Sequence, residues 1–216
     1  TGNPPRGYRA AINQGNTVSR VAIVDSGGAN IASLLYAFER LGVDAELTTD
    51  ATVIRSAERV ILPGVGAARD AMSRLTEARL IDTIRALRQP VLGICLGMQL
   101  MCEASEEEDV DCLGIIPGVA QRLRVEPECP VPNMGWCATS LRSPHPVLDG
   151  LEEGAWFYYL HSYAVPVSDF TLATARHADE FSAVIHKDNF IAAQFHPERS
   201  SRAGAHLLGS FLEWQI

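Results

Sequence analysis

The residue best placed for chemistry is Cys95, which lies in the pentapeptide Gly93-Ile-Cys-Leu-Gly97. A nucleophile between glycines at positions −2 and +2 is typical of the nucleophile elbow, a tight turn from a strand into a helix. The glycines permit strained backbone without collisions, and the N–H groups that begin the helix favour a thiolate. The alternative is that Cys95 is a small buried hydrophobic residue, the usual state of a free cysteine. The other cysteines lack this glycine pattern and are predicted to be structural: Cys102, Cys112, Cys129 and Cys137.

A thiolate nucleophile needs a partner that accepts and returns a proton, and His196 has the best setting for that role. Among the six histidines, His161 and His196 each follow an apolar β segment, and of these two only His196 has a carboxylate two positions later, Glu198. In an extended backbone, residues i and i+2 face the same side, so Glu198 is expected to orient the His196 ring. The alternative is a surface ion pair. Together with an elbow cysteine on another strand, the pair predicts a Cys-His-Glu triad.

The segment Pro63-Gly-Val-Gly66 ends another apolar run. Its two glycines allow a peptide plane to approach a substrate closely, so we expect this segment and the Leu96 N–H to hold an oxyanion. The alternative is an ordinary turn between a strand and a helix. Neither a Walker pattern nor GxGxxG is present, so a nucleotide cofactor is not expected.

The elements that must position these residues follow from hydrophobic periodicity. In the first half of the chain, short apolar runs alternate with helical patterns, which predicts βαβ units and an α/β fold with a parallel sheet. The second half is rich in short β segments, which indicates antiparallel additions to the sheet or a flanking β layer. The predicted strands are 21–24, 43–48, 60–62, 91–94, 119–125, 155–165, 171–176, 183–186 and 191–195, and the predicted helices are 30–41, 67–87 with a break near Glu77, and 201–214.

Composition bounds the remaining possibilities. The chain has 216 residues, 47% of them hydrophobic, which suits one domain over residues 21–216, with residues 1–20 a disordered leader or tag remnant. A net charge of −8 argues against a nucleic-acid partner, and no apolar run approaches the roughly 20 residues of a membrane span. Five cysteines without a CxxC pair, and no apolar signal-peptide core, favour a reducing cytoplasm, with no metal or other cofactor.

Three motifs together resemble the signatures of class I, triad-type glutamine amidotransferases: Pro63-Gly-Val-Gly66, Gly93-Ile-Cys-Leu-Gly-Met-Gln99 and Gln194-Phe-His-Pro-Glu198. Three further segments resemble one branch of that family, the glutaminase subunits of imidazole glycerol phosphate synthase: Val24-Asp-Ser-Gly-Gly-Ala-Asn30, Asn133-Met-Gly-Trp136 and Phe157-Tyr-Tyr-Leu-His-Ser-Tyr163. The resemblance implies a flavodoxin-like three-layer sandwich with a central, mostly parallel sheet and additional antiparallel strands. It departs from the branch at Cys137, where an asparagine is usual.

The resemblance also implies roles for individual residues. Cys95 would attack the carboxamide of glutamine, His196 would protonate the departing ammonia and then activate water, and Glu198 would orient His196. The oxyanion hole would comprise Gly64, Val65, Gly66 and Leu96, and the glutamine-binding residues would be Gln99, Glu107, Ser162 and Tyr163. The residues at the partner interface would be Asn30, Trp136, Tyr158 and Arg199.

The partner implied by the resemblance is a (β/α)8-barrel cyclase subunit, which forms a heterodimer with the glutaminase. The cyclase receives the ammonia through a channel and makes imidazole glycerol phosphate and AICAR in histidine biosynthesis. The alternatives are the glutaminase of another synthase, acting on GMP, anthranilate or aminodeoxychorismate synthesis, and a γ-glutamyl peptidase or cysteine-type α/β-hydrolase. A third is a non-enzymatic scaffold, which the presence of Cys95, His196 and Glu198 disfavours.

Overall fold

A computed structural model describes residues 20–27 and 31–216 of the chain. The predicted leader therefore lies outside the described residues, except for Arg20, at which the first strand begins. The strands in chain order are β1 (Arg20–Val24), β2 (Asp44–Thr48), β3 (Arg59–Leu62), β4 (Val91–Ile94), β5 (Ala104–Ser105), β6 (Val110–Asp111), β7 (Val119–Arg122), β8 (Asn133–Leu141), β9 (Ala155–His161), β10 (Tyr163–Ala164), β11 (Thr171–His177), β12 (Asp179–Lys187) and β13 (Phe190–Ala193). The helices are α1 (Ile31–Arg40), α2 (Ala51–Ser56), α3 (Ala68–Glu77), α4 (Ile81–Arg85), α5 (Leu96–Met101) and α6 (Ser201–Glu213), with 3₁₀ turns at Pro146–Leu148 and Pro197–Arg199.

Nine strands form one mixed sheet in the order β2-β1-β3-β4-β13-β12-β11-β8-β9. The strands from β2 to β13 are parallel, as the sequence predicts for its first half, and those from β13 to β9 are joined by antiparallel pairings. A second, small sheet has the order β10-β7-β5-β6. Both alternatives for the second half of the chain are therefore realised: antiparallel strands extend the sheet, and a separate β layer flanks it.

Helices cover both faces of the large sheet because its parallel strands are apolar on both sides. On β1, Val21 and Ile23 face a core that includes Phe38 of α1 and Leu208 of α6, whereas Ala22 and Val24 face the core that includes the buried residues of α2 to α5. This alternation along one strand produces the three layers of the predicted sandwich. None of the helices in the described part of the chain has the length and apolar content needed to span a bilayer.

The register of the two central strands brings the predicted triad to one edge of the sheet. β4 and β13 are parallel neighbours, with Ile94 opposite Ala193. The chain leaves β4 at Cys95, and it leaves β13 shortly before His196. Residues separated by a hundred positions therefore emerge side by side at the carboxyl edge, where open α/β sheets bind their ligands.

Candidate active site

Cys95 sits between β4 and α5 with φ of 53° and ψ of −108°, a conformation that costs energy for any residue with a side chain. The flanking glycines are required by packing as well as by the turn. A Cβ at Gly97 would lie 1.8 Å from the carbonyl oxygen of Leu62, and one at Gly93 would lie 2.9 Å from the Cβ of Ala192. The backbone of the elbow is therefore wedged between both neighbouring strands, and this holds the sulfur in place.

His196 is joined to Glu198 by a hydrogen bond of 2.9 Å from its Nδ1 to Oε1, and the two side chains are only 5% and 4% exposed. The sequence predicts an extended backbone here, and that prediction is wrong: Pro197–Arg199 is a 3₁₀ turn. Proline, with its fixed φ, favours the first position of such a turn, and the turn brings Glu198 back towards the ring. The ring and the carboxylate still meet, but they do so through a turn.

The surroundings of His196 raise the pKa of its imidazole to about 10. Burial acts in the opposite direction, but hydrogen bonds and charge from Cys95 and Glu198 outweigh it. His196 is consequently the protonated member of this cluster at neutral pH, which suits a group that must give a proton to a leaving amine.

A cavity of about 220 Å³ opens directly beside the sulfur. Its lining includes Cys95 and His196 with most of the residues that the sequence analysis assigns to glutamine and to the oxyanion: Val65, Gly66, Leu96, Gln99, Glu107, Ser162 and Tyr163. Gly64 lies in a neighbouring recess, where a Cβ would come within 2.8 Å of the Cβ of Leu96. The Gly64–Gly66 segment therefore packs directly on the elbow.

Two groups beside the nucleophile were given no role in the sequence analysis. The sulfur of Cys95 lies 3.5 Å from the carbonyl oxygen of Leu160, and the side-chain amide of Gln194 donates towards the sulfur at 3.8 Å. Gln194 also accepts a hydrogen bond from Gln99, whose amide donates in addition to the carbonyl oxygen of Tyr163. The side-chain amide nitrogen of Gln99 is thus engaged within the protein, in the wall of the cavity.

His161 is a second histidine in the wall of the same cavity. Its Nδ1 lies 2.9 Å from the carbonyl oxygen of Tyr163 and its Nε2 lies 3.0 Å from the amide of Asn133, so the neutral ring donates to the first and accepts from the second. Burial lowers the pKa of His161 to about 4, against a smaller opposing effect of the Tyr163 carbonyl. The sequence marks His161 only by its position after an apolar β segment, and His196 has the same kind of position.

Of the predicted interface residues, Asn30 lies outside the described residues, and the other three form one cluster. The guanidinium carbon of Arg199 lies 4.2 Å from the centroid of the Tyr158 ring, and Trp136 meets the same ring edge-on at 6.2 Å. The cluster belongs to a larger exposed surface on one side of the β8–β9 hairpin, here called the aromatic face: Met134, Trp136, Trp156, Tyr158 and Leu160. An apolar surface of this kind on an exposed sheet is typical of a protein-binding site.

Two of the remaining cysteines have thiols whose pKa is raised strongly by burial. Burial raises the pKa of the Cys102 thiol to about 12 and that of the Cys112 thiol to about 11, so both stay protonated at neutral pH. Cys137, at the position where the sequence departs from its branch, donates its thiol hydrogen to Asn133.

Comparison with known proteins places these features in a family. The family profile of class I glutamine amidotransferases matches residues 22–214. The chain is 46% identical to imidazole glycerol phosphate synthase subunit HisH of Shewanella oneidensis over 213 residues, covering 90% of this chain and 96% of that protein. It is 49% identical to the HisH subunit of Xanthomonas euvesicatoria, covering 89% and 96%. A solved glutamine amidotransferase from Thermotoga maritima has the same fold, with a TM-score of 0.66, 15% identity and coverage of 92% and 98%.

Proposed function

We propose that this chain, which belongs to the class I glutamine amidotransferases, is a glutaminase subunit that supplies ammonia to the cyclase subunit of imidazole glycerol phosphate synthase. The observation that carries the proposal is the meeting of Cys95 with the His196–Glu198 pair in one cavity. Two relatives named as the HisH subunit are each matched over 96% of their length. This supports an arrangement in which the glutaminase and the cyclase are separate chains.

Glutamine fits the chemistry of this cavity. Glu107 is the carboxylate in its lining and provides the charge that binds the α-ammonium group. The side chain of glutamine then extends towards Cys95, with its carboxamide carbon beside the sulfur. Ser162 and Tyr163 line the same wall and offer hydroxyl groups to the polar end of the substrate.

The proposed reaction proceeds through a thioester. The thiolate of Cys95, formed when His196 takes the thiol proton, attacks the carboxamide carbon, and the resulting oxyanion is held by N–H groups of the Gly64–Gly66 segment and of Leu96. When the C–N bond breaks, protonated His196 gives its proton to the leaving nitrogen, which departs as ammonia. Neutral His196 then takes a proton from water as the water attacks the thioester, and glutamate leaves as the C–S bond breaks.

The aromatic face is the proposed docking surface for the cyclase, a (β/α)8 barrel. It adjoins the active site because Arg199, stacked on Tyr158, directly follows Glu198 in the chain. Docking next to the triad lets ammonia pass between subunits without entering bulk water. That protection matters because ammonia in neutral water is mostly protonated and then has no lone pair with which to attack.

The test is a reconstituted complex with the cyclase subunit of the same organism. We expect glutamate release in the presence of the cyclase's ligand, and glutamine-dependent formation of the cyclase product. A complex that forms but releases no glutamate from saturating glutamine would contradict the proposal. Fast cleavage of γ-glutamyl peptides by the chain alone would indicate the peptidase alternative instead.

A further inference from the structure

Glu107 makes a second contact besides facing the cavity: its carboxylate caps helix α3. Oε2 of Glu107 accepts a hydrogen bond of 2.9 Å from the N–H of Ala68, the first residue of the helix. The N-cap position is Ala67, whose side chain has no acceptor to offer. A carboxylate from 39 positions away therefore takes the place of the usual capping residue, with a charge that also suits the positive end of the helix.

This cap lies at one end of the proposed oxyanion segment. At the other end, the hydroxyl of Ser26 donates to the carbonyl oxygen of Pro63 at 2.8 Å, in a buried position. Between the two anchors lie Gly64, Val65 and Gly66, and Gly66 has a φ of +96° and open space around it. The path of the segment thus depends on where its two ends are held, and Glu107 holds the end beside the helix.

The turn that carries Glu107 is itself well anchored. The N–H of Glu107 donates to the hydroxyl of Ser105, and the N–H of Glu106 donates to the carbonyl oxygen of Ala120 at 2.9 Å. The Glu106 carboxylate accepts from the N–H of Arg122 at 2.9 Å. The main-chain bond to Ala120 does not depend on the Glu106 side chain and by itself fixes the turn to β7 of the small sheet, so the turn forms a firm support for α3.

We propose that Glu107 is a positioning residue for the oxyanion segment in addition to the residue that binds the ammonium group of the substrate. This rests on the proposed glutaminase function. One carboxylate oxygen holds Ala68, and the lone pairs that remain face the cavity and the ammonium group. The same side chain thus joins substrate binding to the placement of the oxyanion donors, through its contact with Ala68, 39 residues away in sequence.

Two substitutions separate these roles, measured in the complex with the cyclase and its ligand. Glu107→Gln removes the charge but keeps an oxygen that accepts from Ala68, so KM for glutamine should rise at least about tenfold while kcat stays within about threefold. Glu107→Ala removes both the charge and the acceptor. Its kcat should therefore be about tenfold lower than that of Glu107→Gln, because complete loss of an oxyanion donor lowers kcat by about a hundredfold or more and a displaced donor loses part of that effect.

Glu106→Ala is the matched control. It removes a carboxylate of the same turn that also accepts from a backbone N–H, but that N–H belongs to Arg122 of β7 and not to α3. We expect its kcat to stay within about twofold of the unmodified protein. Hydrogen exchange of a peptide covering residues 64–72 provides a readout that does not require saturation with glutamine. Exchange should be faster by about fivefold in Glu107→Ala and unchanged in Glu107→Gln, as expected for loss of a helix cap.

Equal kcat values for Glu107→Ala and Glu107→Gln would overturn the inference, as would equal exchange rates in the two variants. A kcat loss in Glu106→Ala as large as that in Glu107→Ala would also overturn it, because the intact turn and not the contact with Ala68 would then be responsible. Failure of the proposed function looks different: the unmodified complex would release no glutamate, whatever the exchange rates.

Discussion

The two halves of the large sheet each contribute one histidine to the same cavity, and they set the two rings in opposite states. His196 follows β13 in the parallel half and has a pKa of about 10, whereas His161 ends β9 in the antiparallel half and has a pKa of about 4. Both rings are buried, and burial alone lowers the pKa of a histidine. The difference comes from their partners: the Cys95 sulfur and a carboxylate for His196, an amide and a carbonyl group for His161.

The comparison divides the work of the cavity. In the proposed reaction, proton transfer falls to His196, the ring with the charged neighbour, because that ring can hold a proton at neutral pH and release it. The neutral ring instead fixes the wall, since Tyr163, whose carbonyl oxygen accepts from both His161 and Gln99, also lines the cavity. A histidine in a cavity is thus no sign of acid–base chemistry by itself.

The largest effect is expected at the nucleophile. Cys95→Ala removes the thioester route, so glutaminase turnover in the complex should fall by about 10⁴-fold or more. The fold should persist because the side chain is small. Cys129→Ala, which changes a half-buried cysteine in a loop before β8, is the control and should retain full turnover. Undiminished glutamate release by purified Cys95→Ala would refute the nucleophile assignment.

The next effect tests the charged side of the comparison. Glu198→Gln keeps the size of the side chain but removes the charge that stabilises protonated His196, so turnover should fall by up to roughly 10⁴-fold. The pKa of His196, followed by NMR titration of its ring, should fall as well. Glu213→Gln at the exposed end of α6 serves as the control. An unchanged titration in Glu198→Gln would show that the carboxylate does not set the state of the ring.

The neutral side of the comparison predicts a pH dependence of stability. His161 binds its proton less readily when folded than when unfolded, so the unfolded state takes up more protons between pH 6.5 and about 4, and stability is lost as the pH falls through that window. The loss from this ring is about 3 kcal/mol. Urea unfolding at pH 7 and pH 4 should show a smaller decrease for His161→Asn than for the unmodified protein.

His145 must be included in that measurement, because burial lowers its pKa to about 4 as well. Its ring packs against Trp214, away from the cavity. His145→Asn is therefore the matched variant, because it should also reduce the dependence of unfolding free energy on pH but should leave the active site unchanged. Identical pH slopes for His161→Asn and the unmodified protein would contradict the neutral, buried state of His161.

The smallest expected effect concerns the aromatic face, on β8 and β9 of the antiparallel half of the sheet. Trp136→Ala should weaken binding of the cyclase about tenfold, because an exposed tryptophan on an interface often contributes strongly to affinity. Titration calorimetry measures this directly. Val125→Ala, at a residue that is 64% exposed and outside the aromatic face, should leave the affinity unchanged. Equal affinities for the two variants would remove Trp136 from the interface.

Predictability from sequence follows the same division between halves. The central parallel strands are predictable because they are buried on both faces and read as unbroken apolar runs, as at Val91–Ile94, whereas β2 at the sheet edge is exposed and shows only alternation. β8 was missed because its outer side carries exposed apolar residues such as Met134 and Trp136, which hide the alternation expected of a half-buried strand. Helix α2, only six residues long, gives too short a pattern to recognise.

Within the site, local motifs were predictable and distant contacts were not. The elbow at Cys95 depends on glycines two positions away, which can be read directly from the sequence. The contacts of Gln194 with the sulfur and of Glu107 with Ala68 depend on how strands and turns pack, and no spacing along the chain encodes them. The 3₁₀ turn at Pro197–Arg199 was missed because a proline suits both an extended backbone and the first position of a turn.

The contact between Gly97 and the carbonyl oxygen of Leu62 has a consequence for protein engineering. A side chain at position 97 would have to push β3 aside, and β3 leads straight into the oxyanion segment, where Gly64 already touches Leu96. The elbow and the oxyanion segment therefore interlock. A mutant library that varies only one of them should return mostly glycine at positions 64 and 97. Redesign of this catalytic edge has to vary both motifs together, or reshape the cavity from the opposite wall.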